Sequence, residues 1–141
     1  MKKIPSLFKR DYEGARLVYD AVVEGCEWVP AGDGIPTEKI DGTCCLVEDG
    51  KLFKRYDAKK GRIPPADFIP TGDPDEVTGH CPGWLPVGMG PEDRWHREAW
   101  AYFDTLILGK PMPDGTYELI GPKVQSNPYG LNAHMLARHG F

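Results

Sequence analysis

No stretch of these 141 residues approaches the ~20 consecutive apolar side chains that a membrane-spanning helix needs. The amino terminus, Met1-Lys2-Lys3-Ile4-Pro5, is basic but has no apolar run behind it, so a secretory signal is not expected. Positive charge is not in excess either: 17 Lys and Arg stand against 21 Asp and Glu, a formal net charge of -4. Any nucleic-acid role must then rest on a local basic patch that works against the global field. The four cysteines, Cys26, Cys44, Cys45 and Cys81, include no C-x-x-C pair, which disfavours a zinc ribbon. Without a signal peptide they read as reduced thiols of an intracellular, cytoplasmic protein. His80, Cys81 and His96 could be imagined as a metal cluster, but loop and helix-surface positions are the preferred reading. Internal repeats and low-complexity tracts are also missing.

Glycine and proline are plentiful, at 17 and 14 residues. Many connections must therefore be turns, and long uninterrupted helices are not expected. The length suits one domain, residues 1–141, with one modest core. Residues 1–30 read as a strand and a short helix or as two strands, because the periodicity does not choose. The segment 31–36 is a loop by composition. Thr43-Cys44-Cys45-Leu46-Val47 is apolar or β-branched, and Leu52-Phe53-Lys54-Arg55-Tyr56 reads as its return strand. Between them lies Asp49-Gly50, a strong hairpin signal. Cys44 and Cys45 must point to opposite faces, so this strand is expected to be central and covered on both sides. Residues 57–91 read as a long irregular segment. Gly90-Pro91-Glu92-Asp93 marks a helix start, with proline in the first turn and acids at the positive end of the dipole. Trp95, Ala99, Tyr102, Phe103 and Leu106 form an amphipathic stripe, read as core packing, and Gly109 is expected to stop the helix. Thr116–Ile120 reads as a strand, with Tyr117 and Leu119 on one face and Glu118 and Ile120 on the other. Residues 131–141 show no clear element.

Lys39 sits two residues before Asp41-Gly42, at the entrance to the hairpin. A lysine amine is a nucleophile only when neutral, so partial burial or neighbouring cations would have to lower its pKa. Attack on a nucleoside triphosphate would give a lysine phosphoramidate, a step that mainly needs positive charge around the phosphate. Gly42 would let backbone approach a ligand closely. Glu118, on the polar face of its strand, could accept hydrogen bonds from a ribose hydroxyl. Arg55 could hold a phosphate through two parallel bonds. The plain alternatives are a lysine before a turn, an exposed strand carboxylate and, for Lys54, Arg55, Lys59, Lys60 and Arg62, a solvated basic loop.

Lys39-Ile40-Asp41-Gly42 resembles motif I, K-x-D-G, of the covalent nucleotidyltransferases: ATP-dependent DNA ligases, RNA ligases and capping enzymes. Three blocks in order resemble the 5′-to-3′ RNA ligase family. They are Thr37–Cys45, Lys54-Arg55-Tyr56-Asp57, and Tyr117–Gln125 with Asn127-Pro128-Tyr129-Gly130. The resemblance covers roughly residues 25–130. It implies an α+β fold, a twisted antiparallel sheet with few helices like the front part of an ATP-grasp-like ligase domain. It implies ATP and Mg²⁺ as cofactors, and RNA with 5′-phosphate and 3′-hydroxyl ends as partner. Lys39 would be the adenylylated nucleophile. Thr37 and Glu38 would lie against adenine, Arg55 toward phosphate or ribose, and Glu118 on the ribose, with Gly42 in the turn. Lys59, Lys60 and Lys123 would contact RNA phosphates.

The sequence departs from that family after Asn127-Pro128-Tyr129-Gly130. Neither the E-G-[IV] string of motif IV nor the paired-lysine strand of motif V follows. The expectation is the amino-terminal part of a longer ligase, one half of a split ligase whose other chain supplies those motifs, or a reduced protein. The alternatives are a capping-type or DNA-ligase-type transferase, and a non-catalytic nucleotide- or RNA-binding remnant.

Overall fold

The computed structural model describes residues 5–106 and 110–140. By its contacts the chain divides into two compact units, one running to Thr37 and the other starting at Glu38. In the first unit β1 (Phe8–Arg10) pairs antiparallel with β2 (Val18–Val22), which decides for two strands where the sequence left a choice. The connecting turn is closed by Asp11. Its Oδ1 accepts the backbone N–H groups of Glu13 and Gly14, at 3.2 and 2.8 Å, as short acidic side chains do in turns.

The second unit is an antiparallel six-stranded sheet with one helix, an α+β arrangement as expected. In chain order its strands are β3 (Thr43–Glu48), β4 (Lys51–Ala58), β5 (Ile69–Pro70), β6 (Cys81–Pro86), β7 (Gly115–Ile120) and β8 (Met135–Arg138). In space the order is β5-β6-β4-β3-β7-β8, so β3 is central. The β3–β4 hairpin closes where the dipeptide said it would. Asp49 and Gly50 have φ of 49° and 70°, the paired positive values that a two-residue turn needs to match strand twist.

A 3₁₀ turn, Pro91–Asp93, leads into α1 (Arg94–Leu106). The helix lies over one face of the sheet. Ala99 joins Cys45, Val47, Leu52, Tyr117, Leu119 and Leu136 in the core, with Trp95, Trp100 and Phe103 packed against it. Tyr102, expected in the stripe, is 37% exposed instead, and Trp100 takes the inward place. The expected stop at Gly109 and the side chain of Leu106 lie outside the described residues. Asp93 is 2% exposed and turns away from a simple dipole role. Its Oδ1 accepts from Lys54 Nζ on β4 (2.5 Å) and its Oδ2 from the Gly88 N–H (2.7 Å). Burial alone would raise the Asp93 carboxyl, but these bonds and the Lys54 charge outweigh it and hold it below the ordinary range.

Three strands, β5, β6 and β8, were not expected. The segment 57–91 is not irregular throughout: β6 pairs with β4 from Phe53↔Pro86 to Ala58↔Cys81. Residues 131–141 contain β8, which pairs Tyr117↔Arg138 through Ile120↔Met135. Among the described residues no helix is long and apolar enough to cross a membrane.

Candidate functional site

A strand alternates its side chains, and directly paired residues share a face. Cys45, Val47, Tyr117 and Leu119 point to the helix. Their neighbours therefore point to the other side. That face carries Cys44 and Leu46 on β3, Arg55 on β4, Trp84 on β6, and Thr116 and Glu118 on β7. The register sets Cys44 opposite Glu118 and Arg55 opposite Trp84. The Arg55 guanidinium carbon lies 5.5 Å from the Trp84 ring centroid, within cation–π range.

Glu118 is not an exposed strand carboxylate. Its side chain is 12% exposed, and its Oε2 lies 2.9 Å from His139 Nε2. His139 is in turn fixed to β7, with its Nδ1 3.0 Å from Thr116 Oγ1 and its backbone N–H donating to Thr116 O at 3.1 Å. Cys44, Glu118 and His139 place one donor atom each within 4.8 Å of one another. Burial pushes the Cys44 thiol above its ordinary value, the Glu118 charge adds to this, and Arg55 partly offsets it. Such a sulfur, nitrogen and oxygen set does not suit Mg²⁺, which prefers oxygen ligands in an octahedron.

The K-x-D-G segment leads into β3 beside this face. Lys39 is exposed and lies outside any strand. The Asp41 N–H donates to Tyr129 Oη at 2.6 Å, and Gln125 Nε2 donates to Gly42 O at 3.3 Å. Gly42 is required by packing against β7: a Cβ there would sit 2.2 Å from Leu119 O and 2.8 Å from Glu118 Cγ. The close approach that a glycine permits is thus made to the strand that carries Glu118.

The brace from Gln125 and Tyr129 comes from a tight loop. Gln125, Ser126 and Asn127 have φ of 45°, 59° and 54°, and left-handed backbone costs ~1–2 kcal/mol for each non-glycine residue. Asn127 holds the loop by exchanging two hydrogen bonds with the Leu131 backbone, 3.0 and 2.9 Å long. Behind it, the Lys123 N–H donates to His134 Nε2 at 3.2 Å. His134 must then carry its proton on Nδ1, 2.9 Å from Glu98 Oε1, while its ring stacks on Trp95.

The remaining expected residues are more dispersed. Thr37 closes the first unit and Glu38 opens the second, both exposed. Lys59 and Lys60, with Arg62, line an open groove of about 610 Å³ beyond β4. Lys123 is exposed in the loop after β7. His80 and His96 are apart in role. His80 Nδ1 faces Asp57 Oδ2 at 3.1 Å. His96 is buried in the helix, against the surface reading, and burial lowers its pKa. Sequence reasoning missed His139, Cys44, Gln125 and Tyr129 as members of the site. The conspicuous signal was the pair Gln125 and Tyr129 inside the blocks already singled out.

No family model matches the chain. It is similar to curated proteins named RNA ligase 1. Identity is 29% to that of Pongo abelii, over 75% of this chain and 52% of the relative. The Mus musculus protein is 28% identical over 77% and 53%, and the Danio rerio protein 28% over 74% and 52%. The chain thus spans about half the length of the curated relatives it matches. These similarities support a relationship to the RNA ligase family.

Proposed function

We propose that the chain carries the front part of the nucleotide site of an ATP-dependent RNA ligase. Lys39 Nζ, once deprotonated, attacks the α-phosphorus of ATP. A P–N bond forms, the bond to the bridging oxygen breaks, and pyrophosphate leaves. AMP then passes from Lys39 to an RNA 5′-phosphate, and an RNA 3′-hydroxyl displaces it. Glu118 accepts hydrogen bonds from the ribose, and Arg55 approaches ribose or phosphate from β4. Thr37 and Glu38 lie against the base, and Lys59, Lys60 and Lys123 meet RNA phosphates. Magnesium, when bound, spreads the charge of the triphosphate, and it would be carried mainly by phosphate oxygens.

The observation that supports this reading most is the packing of Gly42 onto β7 beside Glu118. Two blocks 76 positions apart in sequence meet there, as a lysine nucleophile and a ribose acceptor must. The similarity to proteins named RNA ligase 1 supports the substrate class. The exposure of Lys39 favours a second reading, a nucleotide- or RNA-binding module without catalysis.

Incubation with α-labelled ATP and Mg²⁺, followed by a denaturing gel, separates the two. Covalent label that disappears in Lys39→Ala is the expected result. Unlabelled protein that still binds ATP or RNA would establish the binding module instead.

A further inference from the structure

We propose that Cys44, Glu118 and His139 form a binding site for a divalent transition ion of the zinc class. The ion and a nucleoside compete for Glu118; that second part rests on the function proposed above.

The donor set is the first support. Thiolate, imidazole and carboxylate are the ligands of zinc, and three of them from the protein leave a fourth tetrahedral position open. The three donor atoms already lie within 4.8 Å of one another. Glu118 Oε2 and His139 Nε2 are 2.9 Å apart. Bonds of ~2.0 Å to a tetrahedral ion need about 3.3 Å between those two atoms, so the pair has only to part by a few tenths of an ångström.

The second support is how the ligands are held. Cys44 and Glu118 are direct partners across the β3–β7 ladder. His139 is tied to the same strand through its backbone N–H and through Nδ1, which faces Thr116 Oγ1. A ligating histidine characteristically engages a polar partner with its second nitrogen, which fixes the ring and turns the other nitrogen to the metal. Here Nε2 is the nitrogen turned toward Glu118, and Cys44 completes the cluster. Binding moves the imidazole proton from Nε2, where it faces the Glu118 carboxylate, to Nδ1, where it is donated to Thr116 Oγ1; a metal–sulfur bond forms and the thiol proton leaves to solvent. The metal is not oxidised or reduced. Arg55 is the opposing charge on this face, and it moderates the affinity.

Cobalt titration of the full chain tests the site, because cobalt(II) takes zinc ligands and reports a thiolate by a near-ultraviolet charge-transfer band. A saturable 1:1 band that Zn²⁺ displaces is expected. The band is lost in Cys44→Ala, is retained in Cys81→Ser, and needs about tenfold or more additional cobalt in His139→Ala. Glu118→Gln, which keeps the shape of the side chain, weakens binding similarly. Circular dichroism confirms that each variant is folded. No thiolate band, or an unchanged band in folded Cys44→Ala, overturns the site. Adenosine, which has ribose hydroxyls and no phosphate to chelate the ion, then tests competition. It should raise the cobalt concentration needed for half-saturation, and a titration unmoved by saturating adenosine overturns that part. Failure of Lys39 to label in protein stripped of transition metal, with ATP and Mg²⁺ supplied, would remove the ligase reading and leave the cobalt spectrum as it is.

Discussion

Cys45 and Cys44 are neighbours in sequence, but they meet different chemistry. Cys45 has no exposed surface, and burial, followed by the charges of its neighbours, pushes its thiol far above the ordinary range. Cys44 looks out on Glu118, His139 and Arg55. The same contrast separates two lysines. Lys54 crosses the covered side to a buried carboxylate and joins helix to sheet. Lys39 stands exposed, three residues before the glycine that packs beside Glu118. One face of the sheet thus concentrates packing and paired charge, and the other concentrates unlike polar groups on rigid strands. Substitutions on the covered face should change melting more than chemistry, and those on the open face the reverse.

The largest stability effect is expected from Asp93→Ala. It strands Lys54 beside the core and removes the acceptor of the Gly88 N–H. Breaking a buried pair from one side costs ~3–5 kcal/mol. Lys54 keeps 21% of its side chain exposed, so about 2–3 kcal/mol is expected here. The folded Asp93 carboxyl lies below its ordinary value. Its contribution is therefore complete above the unfolded value of about pH 4 and is lost as pH falls through the folded one. Chemical denaturation should show the gap between variant and wild type narrowing below about pH 4. A loss under 1 kcal/mol at pH 7 would mean that the pair does not fasten the helix.

Gly42→Ala tests the meeting point of the two halves of the open face. Its added methyl would collide with a backbone oxygen of β7 rather than with a flexible side chain. Strain of about 1–3 kcal/mol follows, and because the displaced strand carries Glu118, lysine labelling should fall by more than the unfolded fraction explains. Labelling that falls only in step with unfolding would separate Gly42 from the geometry of the site.

His96→Leu sharpens the covered side. Both ring nitrogens of His96 are buried without a hydrogen-bond partner among the described residues. Burial lowers its pKa, with Asp93 opposing. The folded value is thus below the unfolded value of about 6.5, so wild-type stability is full above that pH and declines as pH falls. Leucine should add about 1 kcal/mol by removing two unpaired buried nitrogens. It should also flatten the pH dependence of melting between about pH 6.5 and 5. An unchanged slope would show that another group sets it.

Local signals made much of this arrangement readable. Asp49-Gly50 has no better use than a tight turn, and the alternation of Tyr117-Glu118-Leu119-Ile120 fixes which residue faces the helix. The strand β6 was hidden by Pro82, Gly83 and Pro86, which normally punctuate chains. It survives because the Pro82 carbonyl accepts Thr71 N–H and Oγ1–H, at 3.0 and 2.8 Å. That carbonyl and the missing N–H point to the same side, away from β4, so the β4 ladder loses nothing. β8 has only four residues and no turn dipeptide to announce it. His139 lay just beyond it, and its partnership with Glu118 has no local signature. The donor cluster on the open face therefore emerged only when the register was known.

The smallest effect is the most specific to the open face. Tyr129 and Asp41 are 88 positions apart, and one hydrogen bond joins them. Tyr129→Phe keeps the ring and removes the acceptor, at a net cost of about 1 kcal/mol, because Tyr129 is 37% exposed and water can replace the lost partner. The loop that presents Tyr129 holds three successive left-handed residues, strain that structures retain where geometry has a use. If the use is to aim the K-x-D-G segment, labelling by ATP should slow severalfold with little change in ATP affinity, since aim matters to the attack and not to the nucleotide already bound. A parallel loss of affinity would assign Tyr129 to binding. An unchanged rate would leave the strained loop a structural tie between β7 and β3 alone.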